Sequence, residues 1–296
     1  MDLRQIRYFV SVAERGGFAA AASTLNIAQS ALSRHVKELE DELGGALLER
    51  GARGVSVTES GKVLLARGRW LLGTIDDIKA EVRTENREPS GTVRIGAPDG
   101  FGSHFLASRL VKFTERYPDL DLQLVATARL FSLSKREADI AISLTMPKEG
   151  RIVGRKLLDY TLGLYAAPAY LAQAPVIAAR ADLPRHRFVG YIEELLFTPE
   201  LDYLPQVSPK ISAKFRSANL IAQLNATIAG FGIAVLPHFM ASAHPELQPV
   251  LPDEVRISRT FWLLMHADSK DLARIRAVAD YIYETVEAER ALFSGV

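Results

Sequence analysis

Gln29, Ser30, Ser33, Arg34 and Lys37 bring an amide, two hydroxyls, a guanidinium and an ammonium to one side of a helix. Each of these groups can hydrogen-bond a base edge in the major groove or a phosphate beside it. On their own, five such residues describe a solvated helix face as well as they describe a reading surface. Arg50 and Arg53 follow in "RGARG", between two short extended pieces. At the tip of a hairpin they would supply cations for a phosphate backbone.

The elements that would hold these residues are legible nearby. Residues 2–15 predict an amphipathic helix with Leu3, Ile6, Phe9, Val10 and Ala13 on one face, ended by "ERGG". A short alanine-rich helix follows at about 18–25, where Ala21 and Ala22 leave room for a crossing helix. The corner "LNI" contains Asn26, a residue that tolerates a left-handed turn. A third helix, about 28–43, buries Leu32, Val36, Leu39 and Leu43 and presents the five polar residues opposite. Helix, tight turn, helix and a hairpin wing over 47–58 make a winged helix-turn-helix. His35 sits between the two faces, where packing or phosphate contact suits it better than base reading. The run "ELEDELGG" reads as a solvated helix end.

Charge counting would miss this surface. The chain carries net charge +1, and its first 58 residues hold seven Lys/Arg against seven Asp/Glu. There are no cysteines, which excludes disulfides and thiolate metal sites. The N-terminus lacks a signal-peptide core, and no run approaches a membrane span, so a cytoplasmic protein is expected.

Thr58 predicts the cap of a long helix to about residue 87. Leu64, Gly68, Leu71, Ile75, Ile78 and Val82 form a heptad-like seam along it, which asks for a second copy. "ENREPSG" (85–91) reads as a hinge. From Thr92 onward strands and helices alternate, the pattern of parallel α/β sheets. Strands are expected at "TVRIGAP", "DLQLVA", "ADIAISL", "TLGLYAAP", "RFVGYI", "KISAKF", "GIAVLP" and "TFWLLMHA". Helices are expected at 103–117, 217–230 and 269–291.

"FAAAASTLNIAQSALSRHVKELEDELGGALLER" followed by "GVSVTESG" resembles the LysR-type transcriptional regulators, and the stretch is highly specific for them. "YPDLDLQL", "READIAI" and "AGFGIAVLP" extend the resemblance, more weakly, through the chain. It implies a winged helix-turn-helix over 1–58, a linker and dimerisation helix with its hinge over 59–91, and an effector-binding regulatory domain over 92–296. That regulatory domain would be two-lobed and folded like a type II periplasmic binding protein. Lobe I would span about 92–160 and 267–296, and lobe II about 161–266. DNA contacts fall on Gln29, Ser30, Ser33, Arg34 and Lys37, with Arg50 and Arg53 at the wing. The implied partners are double-stranded DNA, a small-molecule effector, a dimer through the linker helix, a homotetramer, and contact with RNA polymerase; no cofactor or metal is implied. Two departures are minor: Gly17 replaces a common serine at the start of helix two, and Ser30 stands where proline is frequent.

In a two-lobed α/β fold, ligands lie at strand C-termini and helix N-termini. "PDGFGSH" (98–104) offers Gly100 and Gly102, expected to expose backbone N–H groups, with Ser103 beside them. Thr127, Ser143, Phe197, Thr198, Ser217 and Asn219 complete the set, although each alone is an ordinary cap or turn residue. Gly100 stands where the family often has Ser or Thr, which removes a hydroxyl. Asp99 would cap its own helix; aimed instead into the cleft, it would repel a carboxylate effector.

An enzyme is the opposing reading. The chain lacks a G-x-S-x-G elbow, a phosphate-binding loop and H-E-x-x-H, and its six histidines are scattered without ligand-like spacing. His104 and His266 are the two that a cleft could recruit. A DNA-binding oligomer with a vestigial cleft remains open on sequence alone.

Overall fold

The computed structural model describes residues 1–51, 54–82, 88–129, 131, 133, 137–147 and 149–295, with no account of the side chains of residues 50, 76, 77 and 79–82. The chain forms two compact units, the first from residues 1–87 and the second from most of residues 88–296.

The first unit begins with α1 (Leu3–Arg15). Asp2 accepts from the Gln5 N–H while the Gln5 side chain accepts from the Asp2 N–H, a reciprocal cap. Gly16, at φ 67°, ends the helix in the left-handed region that glycine adopts without strain. α1 buries Ile6, Phe9, Val10 and Val12. Leu3, expected inside, is exposed because it precedes the first turn that meets the core. α2 (Phe18–Leu25) buries Phe18, Ala21 and Ala22, and Asn26 turns the chain at φ 52°. α3 (Gln29–Leu43) buries Leu32, Val36 and Leu39. Leu43 continues the stripe but is 47% exposed, since the helix outruns the core it packs on.

β1 (Leu48–Gly51) and β2 (Gly54–Val57) pair antiparallel as the wing. The acidic run is not merely solvated. The Glu40 carboxylate accepts from the N–H groups of Leu47 at 2.8 Å and Leu48 at 3.0 Å, tying α3 to the wing. Thr58 caps α4 (Glu59–Val82), accepting from Gly61 N–H at 3.0 Å. The first half of the expected seam turns out to face its own chain. A Cβ on Gly68 would lie 2.9 Å from Ile6 Cγ2 and 3.0 Å from Val10 Cγ2, and Leu64 and Leu71 join the same core. Gly68 therefore serves the α1–α4 crossing; beyond it, Ile78 is exposed.

The second unit is built on one nine-stranded sheet in the order β4-β3-β5-β11-β6-β9-β7-β8, with β10 on β6. β3 (Gly91–Ala97), β4 (Leu120–Ala126) and β5 (Ile140–Ser143) are parallel, as are β7 (Phe188–Gly190), β8 (Ala213–Arg216) and β9 (Ile233–Pro237). β6 (Ile152–Ala166), β10 (Gln248–Val250) and β11 (Ile257–His266) run antiparallel to their partners. The sheet is thus mixed rather than parallel throughout. β6 and β11 pair along ten residues and pass from one parallel group to the other. Residues 262–265 of β11 pair with β5, so the chain crosses between the groups inside these strands.

A π-helical turn, Phe101–Leu106, leads into α5 (Ala107–Arg116); Ala107 N–H reaches Gly102 O, five residues back. α6 (Pro168–Leu171) and α7 (Leu204–Val207) are single turns. α8 (Leu220–Ile228) follows β8, α9 (His238–Ala241) follows β9, and α10 (Ala273–Ala288) packs on β3 and α5. A continuous apolar core lines the sheet, with Phe101, Phe105, Phe113, Phe188 and Phe293 among its fully buried side chains.

Candidate DNA-reading face and effector cleft

α3 carries its polar residues outward. Gln29 and Ser30 are exposed, Ser33 is half-buried, and the Arg34 and Lys37 side chains are 69% and 72% exposed. Arg34 Nε lies 3.7 Å from Glu38 and Lys37 Nζ lies 3.5 Å from Asp41, each one turn away. Such exposed pairs contribute about 0–1 kcal/mol, so either cation can leave its partner for a phosphate. His35 packs 5.4 Å from the Tyr8 ring and contacts Glu38 at 3.1 Å, a packing position as expected. No side chain caps the N-terminus of α3, which Ala28 precedes. Arg50 lies in β1, its side chain outside the described residues, and Arg53 lies outside them altogether.

In the second unit, Asp99, Gly100 and Phe197 come together around a cavity of about 20 Å³. That is room for about one water molecule. The other walls include Phe101, Tyr160, Tyr191, Tyr203, Leu220, Phe239 and Phe261. Tyr160 and Phe261 stack at 4.2 Å, and Phe101 lies 4.7 Å from Phe261. Burial pushes the Tyr160, Tyr191 and Tyr203 hydroxyls well above their ordinary acidity range. These rings were missed at the sequence level, because a tyrosine inside a strand or loop reads as core or surface with equal ease.

Asp99 does not cap its own helix. Its Oδ2 accepts from Leu220 N–H at 2.5 Å, the first residue of α8, and the residue is 4% exposed. Burial raises its carboxyl above the usual value, while the N–H groups of Leu220, Gly100, Asp99 itself and Ile221 pull against that. A Cβ on Gly100 would meet the ends of two side chains, 2.7 Å from Leu220 Cδ2 and 2.9 Å from Met240 Sδ.

The remaining candidates lie off this cavity. Gly102 N–H is not exposed to a cleft; it donates to Pro98 O at 2.8 Å, and its missing Cβ would meet Ala126 Cβ at 2.7 Å. Ser103 is exposed, and Thr127 N–H donates to Ala97 O at 3.0 Å. Ser143 Oγ accepts from Thr145 N–H at 3.3 Å, and Thr198 Oγ1 donates to Glu200. Ser217 Oγ accepts from Asn219 N–H, and Asn219 Oδ1 caps α8 through Ala222 N–H at 2.9 Å. None of these six side chains lines the cavity. The two histidines lie off it as well. His104 sits 5.7 Å from His244, with burial holding its pKa below the ordinary value, and His266 Nδ1 accepts from Asp268 N–H.

Among the described residues no cluster of metal-ligating side chains forms, and no helix is long and apolar enough to cross a membrane. Residues 3–62 match the family described as "Bacterial regulatory helix-turn-helix protein, lysR family", and residues 86–287 match "LysR substrate binding domain". The HTH-type transcriptional regulator CrgA of Neisseria meningitidis serogroup C is 30% identical over 285 residues, 95% of either chain. The regulator PtxR of Pseudomonas aeruginosa is 29% identical over 246 residues, 82% of this chain and 78% of its own. The structure of CrgA superposes with a TM-score of 0.59 at 28% identity, over 96% of this chain and 98% of that one. ArgP from Mycobacterium tuberculosis shares the fold, with a TM-score of 0.68 at 17% identity over 96% and 97%.

Proposed function

The chain belongs to the LysR family of bacterial transcriptional regulators, a DNA-binding regulator with a substrate-binding domain, and we propose that α3 is its recognition helix. Gln29, Ser30, Ser33, Arg34 and Lys37 read the major groove, with Arg50 and Arg53 at the wing. The outward polar face of α3, with Arg34 and Lys37 in exposed ion pairs, carries this reading. Residues 1–58 form the DNA-binding domain, 59–91 the linker and hinge, and 92–296 the effector domain. Its two lobes meet near the cavity lined by Asp99, Gly100 and Phe197, where an effector enters after the lobes part. The protein acts in the cytoplasm without catalysis, as a dimer through α4 and as a homotetramer, in contact with RNA polymerase.

Footprinting on the neighbouring intergenic region, at low salt, tests this. Protection is expected for the full chain, and Arg34→Ala should weaken it by about tenfold or more. The same change should leave thermal stability within about 0.5 kcal/mol, since the Glu38 pair is exposed. Absence of protection by the unaltered chain would sink the regulator reading. A second reading, a DNA-binding oligomer whose cleft is vestigial, draws support from the small cavity. It predicts that no metabolite shifts the melting temperature while protection persists.

A further inference from the structure

The first turn of α8 carries the N–H groups that an anion would seek, and the chain itself has taken them. Leu220 N–H donates to Asp99 Oδ2 and Ile221 N–H faces the same carboxylate. Ala222 N–H donates to Asn219 Oδ1 and Gln223 N–H to Asn219 O. Asp99 comes from the far parallel group of the sheet, 121 residues away in sequence. Next to the small cleft lies a second cavity of about 130 Å³, and the two share Tyr191, Leu201 and Tyr203 as walls. The second cavity adds Glu193 and Asp202, and no Lys, Arg or His lines either one among the described residues. The Arg259 guanidinium, 5.5 Å from the Tyr203 ring, is engaged with Glu200 O and Gln206 Oε1.

Taking this cleft as the effector site proposed above, we propose that Asp99 is the chain's own occupant of the anion position at α8. Asp99 is thereby a specificity-determining residue: the cleft rejects carboxylate ligands and admits uncharged ones. A carboxylate entering here would find the helix donors occupied and a like charge beside it in a water-poor site. An uncharged ligand meets no such repulsion.

Chemical rescue tests the assignment on the full-length chain. Asp99→Ala should lower Tm by about 3–6 °C. Sodium formate, but not sodium chloride at equal ionic strength, should restore most of that loss in a saturable way. Asp99→Asn keeps the acceptor and fills the space, so it should melt near the unaltered chain and ignore formate. Equal responses to formate from Asp99→Ala and the unaltered chain would overturn the proposal. If Asp99→Ala does not fold, the unaltered chain titrated with sodium benzoate decides: saturable stabilisation overturns the proposal, and none supports it. DNA protection measured on the same samples separates the two readings. No protection by the unaltered chain removes the regulator reading, whereas failed rescue with that protection intact removes only the role of Asp99.

Discussion

Two helix beginnings in this molecule present the same backbone chemistry and treat it in opposite ways. α3 starts after Ala28, with no side chain capping it, and the polar groups of its first turns face outward. α8 starts after Asn219, whose side chain caps it, and a buried carboxylate from the other half of the sheet closes what remains. A helix N-terminus is worth about half a positive charge, attractive to phosphate and carboxylate alike. Left open at the surface, it can wait for DNA. Filled in the interior, it fastens one part of the chain to another and becomes closed to outside anions.

Charge reversal at the filled end should have the largest effect. Asp99→Lys sets an ammonium against the positive end of α8 in a buried site, and should destabilise the second unit by about 3–5 kcal/mol. Calorimetry should show that loss; a melting temperature unchanged within error would mean that the carboxylate does not hold α8. At the open end, Ala28→Asp should act in two directions at once. The new cap should stabilise the first unit by about 1 kcal/mol. It should also weaken DNA binding about tenfold, or ~1.4 kcal/mol, by placing a carboxylate where phosphate approaches. Ala28→Ser should keep the gain in stability without that loss of affinity. If Asp and Ser weaken DNA binding equally, the start of α3 does not face the backbone.

The smallest effect is a pH dependence. The folded-state pKa of Asp99 is raised by burial, so the folded chain holds that proton to higher pH than the unfolded chain does. The contribution is greatest below the ordinary value of 3.8, declines as pH rises through the folded value, and is flat beyond it. Tyr191 and Tyr203, the ionisable groups coupled to Asp99, stay neutral throughout that window. Asp2, Asp159, Asp182, Glu287 and Glu289 are all shifted downward and give the opposite slope. The difference between the unaltered chain and Asp99→Asn across that window isolates the term. No difference would show that the proton is held equally in both states.

The outward face of α3 is legible in the sequence and the filled end of α8 is not. Leu32, Val36 and Leu39 recur at helical spacing, which settles where Gln29, Ser30, Arg34 and Lys37 must point. Nothing local marks Asp99 as a partner of Leu220, since their meeting depends on how two distant parts of one sheet close. The same limit hid the antiparallel course of β6, whose first half carries Arg155, Lys156 and Asp159 and reads as loop until β11 pairs with it. The role of Glu40 is hidden for a related reason: its partners are the backbone of the next element, not a side chain that a pattern would reveal.

The paired course of β6 and β11 bears on which parts of this sheet can be replaced alone. β5 takes its next neighbour from residues 262–265, beyond the whole segment that builds β7, β8 and β9. A break after residue 160 would leave β5 with a bare edge and strip α10 from β3. A replacement of the segment between the two crossing strands, about 167–256, would leave that edge closed. The inner block is therefore the part of the sheet whose replacement leaves β5 covered, whereas the outer segments close that edge only together.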